Sequence, residues 1–288
     1  MQNRRTFIKE TGSLAAGLSL FPHWVQAMED RSKPRPFGIQ LYTLRDELPG
    51  KARELLQQLA KQGYSYIESY EGPEGMFWNH SAKAFKEFLD NLGLQIVSSH
   101  CEVEKNFEKK VADAASIGMK YLICPSVGPQ PTIESYKRIA QQFNQLGSIC
   151  QKNGIRFAYH NHEYSFKPIE GQLPQEVLLK ETDPLLVDFE LDIYWAHYAG
   201  QDPATWFANY PNRFKLCHVK DKSRWPYPKE GYQSVDLGTG SIDFKKILPR
   251  AVKQGLEYLL VEQEFYPNGS QIEAAAAGAA YMKRLRFG

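Results

Sequence analysis

The 288-residue sequence has few cysteines, and none of them are paired by spacing. It contains no CxxC motif and no zinc-ribbon pattern. The spacing gives no sign of a zinc site, and although export would permit disulfides, a protein that folds first in the reducing cytoplasm would not depend on them. Two of the four, Cys124 and Cys217, lie in predicted strands, and we expect buried free thiols at Cys101, Cys124, Cys150 and Cys217.

The sequence also lacks a charge excess and a long apolar run. Lys plus Arg total 35 and Asp plus Glu total 33, and no dense basic run occurs after residue 40. Nucleic-acid binding needs a concentrated basic surface, so we expect no nucleic-acid partner. No segment is apolar enough to span a bilayer, so we expect no membrane span in the mature chain. The sequence does not determine the oligomeric state, and a homo-oligomer is possible.

The N-terminus has the three parts of an export signal. Arg4 and Arg5 precede "TFIK", a weakly apolar stretch follows, and "VQA" ends at Ala27 with small residues at the cleavage positions. The paired arginines indicate the twin-arginine type. We therefore predict a signal over residues 1–27 and an exported, periplasmic chain over 28–288, which is formally neutral. An amphipathic N-terminal helix is the alternative.

Apolar strand-like runs alternate with helical patterns throughout residues 28–288. Glycines mark several turns from helix to strand, where a C-terminal glycine is expected. Eight such units in order predict a single (β/α)8 TIM barrel. A doubly wound open sheet is the alternative, but no GxGxxG follows the first strand. The predicted strands are 37–44, 65–70, 94–100, 120–126, 155–162, 185–195, 214–221 and 257–265, and the predicted helices are about 50–62, 80–92, 106–117, 133–153, 174–181, 203–209, 243–254 and 271–285.

Ionisable side chains lie at the C-terminal ends of four consecutive predicted strands, where TIM barrels carry their chemistry. A single His or Asp there could simply cap a loop. Four strands in register favour a site for one divalent ion, and the mixed nitrogen and oxygen donors suit Mn²⁺, Zn²⁺ or a similar metal. The residues are His160 and His162 on the fifth strand, Asp192 on the sixth, His218 and Lys220 on the seventh, and Glu262 and Glu264 on the eighth.

Six motifs resemble those of the xylose isomerase-like TIM barrels, the sugar phosphate isomerase/epimerase superfamily. They are "GIQLYTLRD", "YHNHE", "LDIYW", "HVKD", "LGTGSIDF" and "VEQE", in the family's order over residues 37–285. The resemblance implies one divalent metal held by Asp192, His218 and Glu262. Many members place a glutamate on strand five, whereas this sequence has "HNH", which leaves either His160 or His162 as the fourth ligand.

One metal can hardly use both histidines and keep a position open for substrate. We assign His162 as the ligand and His160 as the base that removes a proton next to the substrate carbonyl. Glu262 is a second catalytic candidate, and Lys220 assists as an acid or binds oxygen. The opposite assignment of the two histidines is the alternative.

Other polar and aromatic residues at the same strand ends are candidates for substrate contact. Those predicted to bind substrate are Gln40, Glu68, His100 and Trp195. Aromatic rings that could stack on a sugar or simply pack between barrel and helices are Tyr70, Phe77, Trp78, Tyr194, Trp195, Trp225 and Phe265.

The residues indicate a metal-dependent, isomerase- or epimerase-like enzyme acting on a non-phosphorylated sugar or keto-sugar. Members with "HNH"-like strands resemble inosose dehydratases and lyases of 3-keto-glycosides, so a lyase is the alternative, and a non-catalytic sugar-binding barrel is another. An apurinic endonuclease would need a His where Trp195 stands. The "LGTGSIDF" segment could offer backbone N–H groups to an anion, which argues against the non-phosphorylated substrate.

Overall fold

Eight parallel strands close into a barrel in the computed structural model, which describes residues 35–225, 234–266 and 268–287. Consecutive barrel strands pair with one another, and the last pairs with the first. The predicted TIM barrel is therefore confirmed. The barrel strands are β1 (Gly38–Gln40), β2 (Tyr66–Tyr70), β3 (Gln95–His100), β4 (Tyr121–Cys124), β5 (Arg156–His160), β6 (Val187–Asp192), β7 (Phe214–Val219) and β10 (Tyr258–Val261), and β8 (Asp221–Lys222) pairs with β9 (Ser234–Val235) in a separate antiparallel hairpin.

Helices follow the strands and cover the outside of the barrel. Two short 3-10 helices, Leu41–Leu44 and Glu163–Phe166, follow β1 and β5. The α-helices in the described part of the chain are α1 (Ala52–Gln62), α2 (Ala82–Asn91), α3 (Phe107–Ser116), α4 (Ile133–Lys152), α5 (Pro174–Glu181), α6 (Ile193–Tyr198), α7 (Pro203–Asn209), α8 (Phe244–Lys253) and α9 (Gln271–Arg284).

The helix α1 shows how local sequence sets these elements. Leu55, Leu56 and Leu59 recur at helical spacing and are buried against the barrel. The helix ends at Gly63, whose φ of 91° is a left-handed conformation that other residues rarely adopt. The chain then reverses, and β2 begins at Tyr66.

Several barrel strands end earlier than the sequence suggests, and this places polar side chains at the mouth. The predicted sixth strand runs to residue 195, but β6 stops at Asp192. The Asp192 carboxylate accepts a hydrogen bond from the Trp195 backbone N–H (2.9 Å) and caps α6. Because β5 and β10 also end earlier than predicted, His162, Glu262 and Glu264 lie beyond the ends of these strands.

All four cysteines are buried and unbridged, as the sequence predicts. Among the described residues, no helix combines the length and the apolar character that a membrane crossing requires. The predicted export signal, residues 1–27, lies outside the described residues. The signal, its boundary with the barrel and the periplasmic location therefore stay predictions.

Candidate metal centre

Four side chains from consecutive strands meet at one point on the floor of the barrel mouth. They are His160 at the end of β5, Asp192 at the end of β6, His218 on β7 and Glu262 just after β10. One nitrogen or oxygen atom of each lies within 4.8 Å of the corresponding atoms of the other three. All four residues are buried, so the donor atoms face each other away from bulk water.

His160 and Asp192 each have one atom fixed by the backbone and one atom left over. His160 Nδ1 lies 3.1 Å from the Pro125 carbonyl oxygen, which can only accept, so Nδ1 carries the hydrogen. Asp192 Oδ1 accepts from the backbone of α6. The remaining atoms, His160 Nε2 and Asp192 Oδ2, are buried without a hydrogen-bond partner and lie 3.5 Å apart.

His218 is fixed in the same way from below. Its Nε2 lies 2.8 Å from Glu68 Oε1 on β2. Its Nδ1 is buried without a hydrogen-bond partner and points at the other donor atoms, 3.6 Å from Asp192 Oδ2 and 3.1 Å from Glu262 Oε2. Buried polar atoms without partners are rare, and three in one group need a common explanation.

A divalent cation between these atoms supplies that explanation. In a tetrahedral site with bonds of about 2.0–2.2 Å, neighbouring donor atoms are roughly 3.3–3.6 Å apart. Three of the donor pairs, His160–Asp192, His218–Asp192 and His218–Glu262, lie 3.5, 3.6 and 3.1 Å apart, and all four donors lie within 4.8 Å of one another. Two imidazoles and two carboxylates also match the donor preference of zinc or manganese. His160, Asp192, His218 and Glu262 therefore fit a divalent metal.

Lys220 provides the positive charge closest to this group. Its side chain is completely buried, and the ammonium lies 3.3 Å from Glu262 Oε2, 3.6 Å from Asp192 Oδ2 and in contact with Glu264. The rings of Tyr194 and Trp195 each lie 4.9 Å from Nζ. Burial alone would lower the pKa of Lys220, but the carboxylates beside it raise the pKa well above its ordinary value.

The neighbouring charges also keep the ligand carboxylates ionised. Burial would raise the pKa of both Asp192 and Glu262, but Lys220 and His218 beside them bring the pKa of each below its ordinary value. Burial would lower the pKa of His218, whereas Glu190 and Glu262 raise it well above the ordinary range. The carboxylates of the site are thus already ionised. A cation that binds there displaces a proton from the histidine and not from a neutral carboxylic acid.

His162, which we predicted as the strand-five ligand, lies outside the four-residue group. It follows the end of β5 and precedes a 3-10 helix, with its ring stacked on Tyr164 (5.6 Å) and tilted against Trp195 (5.5 Å). Burial, followed by the charge of His160, lowers the pKa of His162 to about 3. The geometry therefore favours His160 as ligand and leaves His162 as a neutral imidazole beside it.

A second polar layer lies directly beneath the metal centre. Gln40 and Glu68 are completely buried there, and His100 is nearly so. Glu190 also belongs to this layer; sequence reasoning missed it, although it stands two residues before Asp192 and so on the same side of β6. Because Gln40 and Glu68 have no exposed surface, the structure favours a supporting role over the substrate contact that we predicted for them.

The metal centre opens into a cavity of about 310 Å³. His100, His160, His162 and Glu262 form its floor, and Tyr42 and Tyr70 form one wall with ring centroids 5.2 Å apart. His100 thus remains a candidate for substrate contact.

The other predicted aromatic residues divide by burial. Trp195 packs beside the floor against His162. Phe77, Trp78 and Tyr194 are buried in the hydrophobic core, whereas Trp225 is 77% exposed. Of these rings, the partly exposed ones of the wall are accessible to a bound ligand, and the buried ones are not.

The backbone N–H groups of the glycine-rich segment after β9 bind a carboxylate of the protein itself, that of Asp221. Asp221 Oδ2 accepts from the backbone N–H groups of Gly238 (2.9 Å) and Gly240 (3.0 Å), and Oδ1 accepts from those of Lys222 (2.8 Å) and Ile242 (3.1 Å). A side chain at Gly240 would overlap with the carboxylate. The backbone donors that could hold a phosphate are thus already used.

We expect Asp221→Ala to lower the free energy of unfolding by about 3 kcal/mol, because four backbone donors lose their acceptor and only some regain one from water. Urea unfolding followed by circular dichroism measures the loss. Asp221→Asn keeps one acceptor oxygen, so its free energy of unfolding should lie between those of the wild type and Asp221→Ala. A change below about 0.5 kcal/mol for Asp221→Ala would show that the carboxylate does not organise the loop.

Comparisons with known proteins agree with this architecture. A solved structure described as a sugar phosphate isomerase/epimerase from Parabacteroides distasonis is 32% identical, with a TM-score of 0.74 over 91% of this chain and 98% of that one. The inosose dehydratase of Clostridium beijerinckii is 28% identical over 281 residues, which cover 83% of this chain and 92% of the relative. A protein named IOLI, solved with a zinc atom, shares the fold at 16% identity and a TM-score of 0.67, over 85% of this chain and 96% of that one.

The family profile described as "xylose isomerase-like TIM barrel" matches residues 56–285, which is most of the chain. The matched segment begins in α1 and ends after α9, and it contains all four residues of the metal centre. This protein belongs to the xylose isomerase-like TIM barrel family.

Proposed function

We propose that the protein is a divalent-metal-dependent lyase of a non-phosphorylated keto-sugar. It removes a proton from the carbon next to a carbonyl and expels an oxygen substituent from the following carbon. The observation that carries the proposal is the convergence of His160 Nε2, Asp192 Oδ2 and His218 Nδ1, three buried atoms without hydrogen-bond partners, at the floor of the cavity. The named inosose dehydratases among the relatives support the lyase outcome.

The charge of the cavity supports an uncharged substrate. Its lining includes the carboxylates of Glu71, Glu102 and Glu264 beside Glu262, and no Lys or Arg of the described residues is part of that lining. Lys110 pairs with Glu71 and Lys220 with Glu264, but Glu102 has no such lysine partner among the described ion pairs, and a phosphate would meet repulsion from it. The backbone donors of the glycine-rich segment are held by Asp221 and offer no alternative site. A sugar without phosphate fits both facts.

Each step has a group of this chain to serve it. A divalent ion bound here would supply a Lewis acid that polarises the carbonyl and stabilises the negative charge that develops on its oxygen. His162 lines the cavity and takes the proton; the C–H electron pair becomes the new C=C bond as the C–O bond breaks. Lys220 contacts Glu264, which lines the cavity, so this pair is placed to protonate the departing oxygen, which leaves as water or alcohol.

An isomerase or epimerase is the second candidate, because the solved structure that is 32% identical carries that description. An epimerase needs an acid and a base on opposite faces of one carbon. Here the two candidate bases differ in kind: His162 is a neutral imidazole, and Glu262 is one of the four grouped donors. This asymmetry favours a reaction in which the proton is removed once and not returned.

Proton NMR in D₂O with zinc-loaded protein tests the proposal. We expect an inosose or a 3-keto-glycoside to lose its C–H signal next to the carbonyl and to give an unsaturated ketone together with water or free alcohol. Deuterium incorporation with an epimer or isomer as the product would instead establish the second candidate. Metal binding with neither exchange nor product, across both substrate types, would indicate a sugar-binding barrel.

A further inference from the structure

Glu68 lies under the metal centre and cannot reach a substrate. It stands on β2, its side chain has no exposed surface, and it is not part of the cavity lining. A buried carboxylate is costly unless hydrogen bonds compensate it. Both oxygens are compensated here: Ser98 Oγ donates to Oε2 (2.5 Å), and Oε1 receives hydrogen bonds from Gln40 and His218.

The direction of these hydrogen bonds follows from the backbone. The Tyr42 N–H can only donate, and it lies 3.0 Å from Gln40 Oε1, so this oxygen is the acceptor. The other end of the amide, Nε2, can then only donate, and it lies 2.8 Å from Glu68 Oε1. Glu68 Oε1 is therefore an acceptor, and His218 Nε2, 2.8 Å away, must carry the hydrogen.

The consequence lies on the opposite side of the imidazole. With the hydrogen held on Nε2, Nδ1 faces Asp192 and Glu262, and a cation bound between them would displace any proton on Nδ1 and meet its lone pair. A chain of contacts thus runs from the first strand of the barrel through Gln40 and Glu68 to one ligand atom. A carboxylate behind a ligating histidine fixes its tautomer and increases its basicity.

A second carboxylate in the same layer has a different partner. Glu190 Oε2 lies 3.2 Å from His218 Nε2, farther than Glu68 Oε1, and it pairs with His100 Nε2 at 2.8 Å. Glu190 is as deeply buried as Glu68. It therefore provides a matched control: a buried negative charge close to His218 that does not supply the shorter hydrogen bond to it.

We propose that Glu68 is a positioning residue that holds the Nε2–H tautomer of His218 and thereby sets the affinity of the centre for its metal. The inference rests on the proposed function, because it requires that the four grouped residues bind a metal. It gives the buried layer beneath the site a role in metal binding, carried by one hydrogen bond.

Metal affinity, measured by competition with a chelator for Zn²⁺, tests the proposal. We expect Glu68→Ala to weaken binding by about 10–100-fold. Glu68→Gln should lose much less, because its carbonyl oxygen can still accept from His218 while its amide faces the Ser98 hydroxyl. Glu190→Gln, which removes one buried charge without removing that acceptor, should also lose much less than Glu68→Ala.

NMR of the zinc-loaded protein gives a readout that a general loss of stability would not move. The Nε2 proton of His218 should give a slowly exchanging downfield signal in the wild type, in Glu68→Gln and in Glu190→Gln. If Glu68→Ala does not fold, this signal in Glu68→Gln still decides: its absence there overturns the proposal. Equal affinity of wild type and Glu68→Ala, or equal losses in Glu68→Ala and Glu190→Gln, would also overturn it. Absence of metal binding by the wild type would refute the proposed function instead.

Discussion

Asp192→Ala should still fold as a barrel, but it should bind divalent metal much more weakly than the wild type. Its activity should be lower by about 10³-fold or more. The variant removes Oδ2, an anionic atom that lies 3.5 Å from His160 Nε2 and 3.6 Å from His218 Nδ1. A metal supplies several kcal/mol of charge stabilisation in such reactions, and each 1.4 kcal/mol or so is tenfold in rate. Metal content after dialysis and the rate of product formation measure the two losses.

The same residue also caps α6, so the two roles need separate controls. Loss of the cap in Asp192→Ala should lower the free energy of unfolding by about 1 kcal/mol. Asp192→Asn retains an oxygen that accepts from the Trp195 N–H but lacks the anionic charge, so it should fold like the wild type and still bind metal poorly. Stoichiometric metal at unchanged affinity in both variants would show that the metal lies elsewhere.

The barrel follows from features that a single sequence displays. Its strands are short apolar runs, and its helices end at glycines such as Gly63 that adopt a left-handed conformation. Asp192, His218 and Glu262 could be placed at the mouth because the C-terminal ends of parallel strands all lie on that side. These residues are set by local pattern and by topology, so they were within reach of the sequence.

Which histidine of "HNH" is the ligand could not be predicted from the sequence in the same way. His160 and His162 are two apart and would face the same side of a continuing strand. The strand instead ends at His160, and the backbone at His162 leads into a 3-10 helix, which turns the second ring towards Tyr164 and Trp195. Strand termini depend on tertiary contacts that a single sequence does not display.

The depth of Gln40 and Glu68 in the barrel could not be predicted from the sequence for a related reason. Gln40 and Glu68 stand on the inward side of β1 and β2, as a substrate-binding residue would, and alternation alone cannot tell how deep in the barrel a side chain lies. Depth depends on the stagger of neighbouring strands. The register pairs Gln40 with Glu68, whose side chain reaches His218 below the cavity floor.

His160→Ala and His162→Ala should differ sharply although the residues are neighbours. His160→Ala removes Nε2 from the group of four donors, so metal affinity should fall by more than the roughly 10–100-fold that the loss of a supporting partner costs. His162→Ala leaves all four donors in place and should retain its metal. Its turnover should nevertheless fall by about 10²–10⁴-fold, the typical contribution of a positioned base.

Exchange of the substrate's C–H with deuterium shows whether a variant of His162 has lost the base that takes the proton or has only changed the shape of the cavity. In His162→Ala, exchange should fall together with product formation, because no group takes the proton. His162→Gln preserves much of the contact with Trp195 and Tyr164 but is not a base, so it should be as slow as His162→Ala if proton transfer is the role. Near-normal exchange in His162→Gln would mean that the ring only shapes the cavity. The reverse pattern, with metal kept by His160→Ala and lost from His162→Ala, would exchange the two roles, because it would place the strand-five ligand beyond the end of β5.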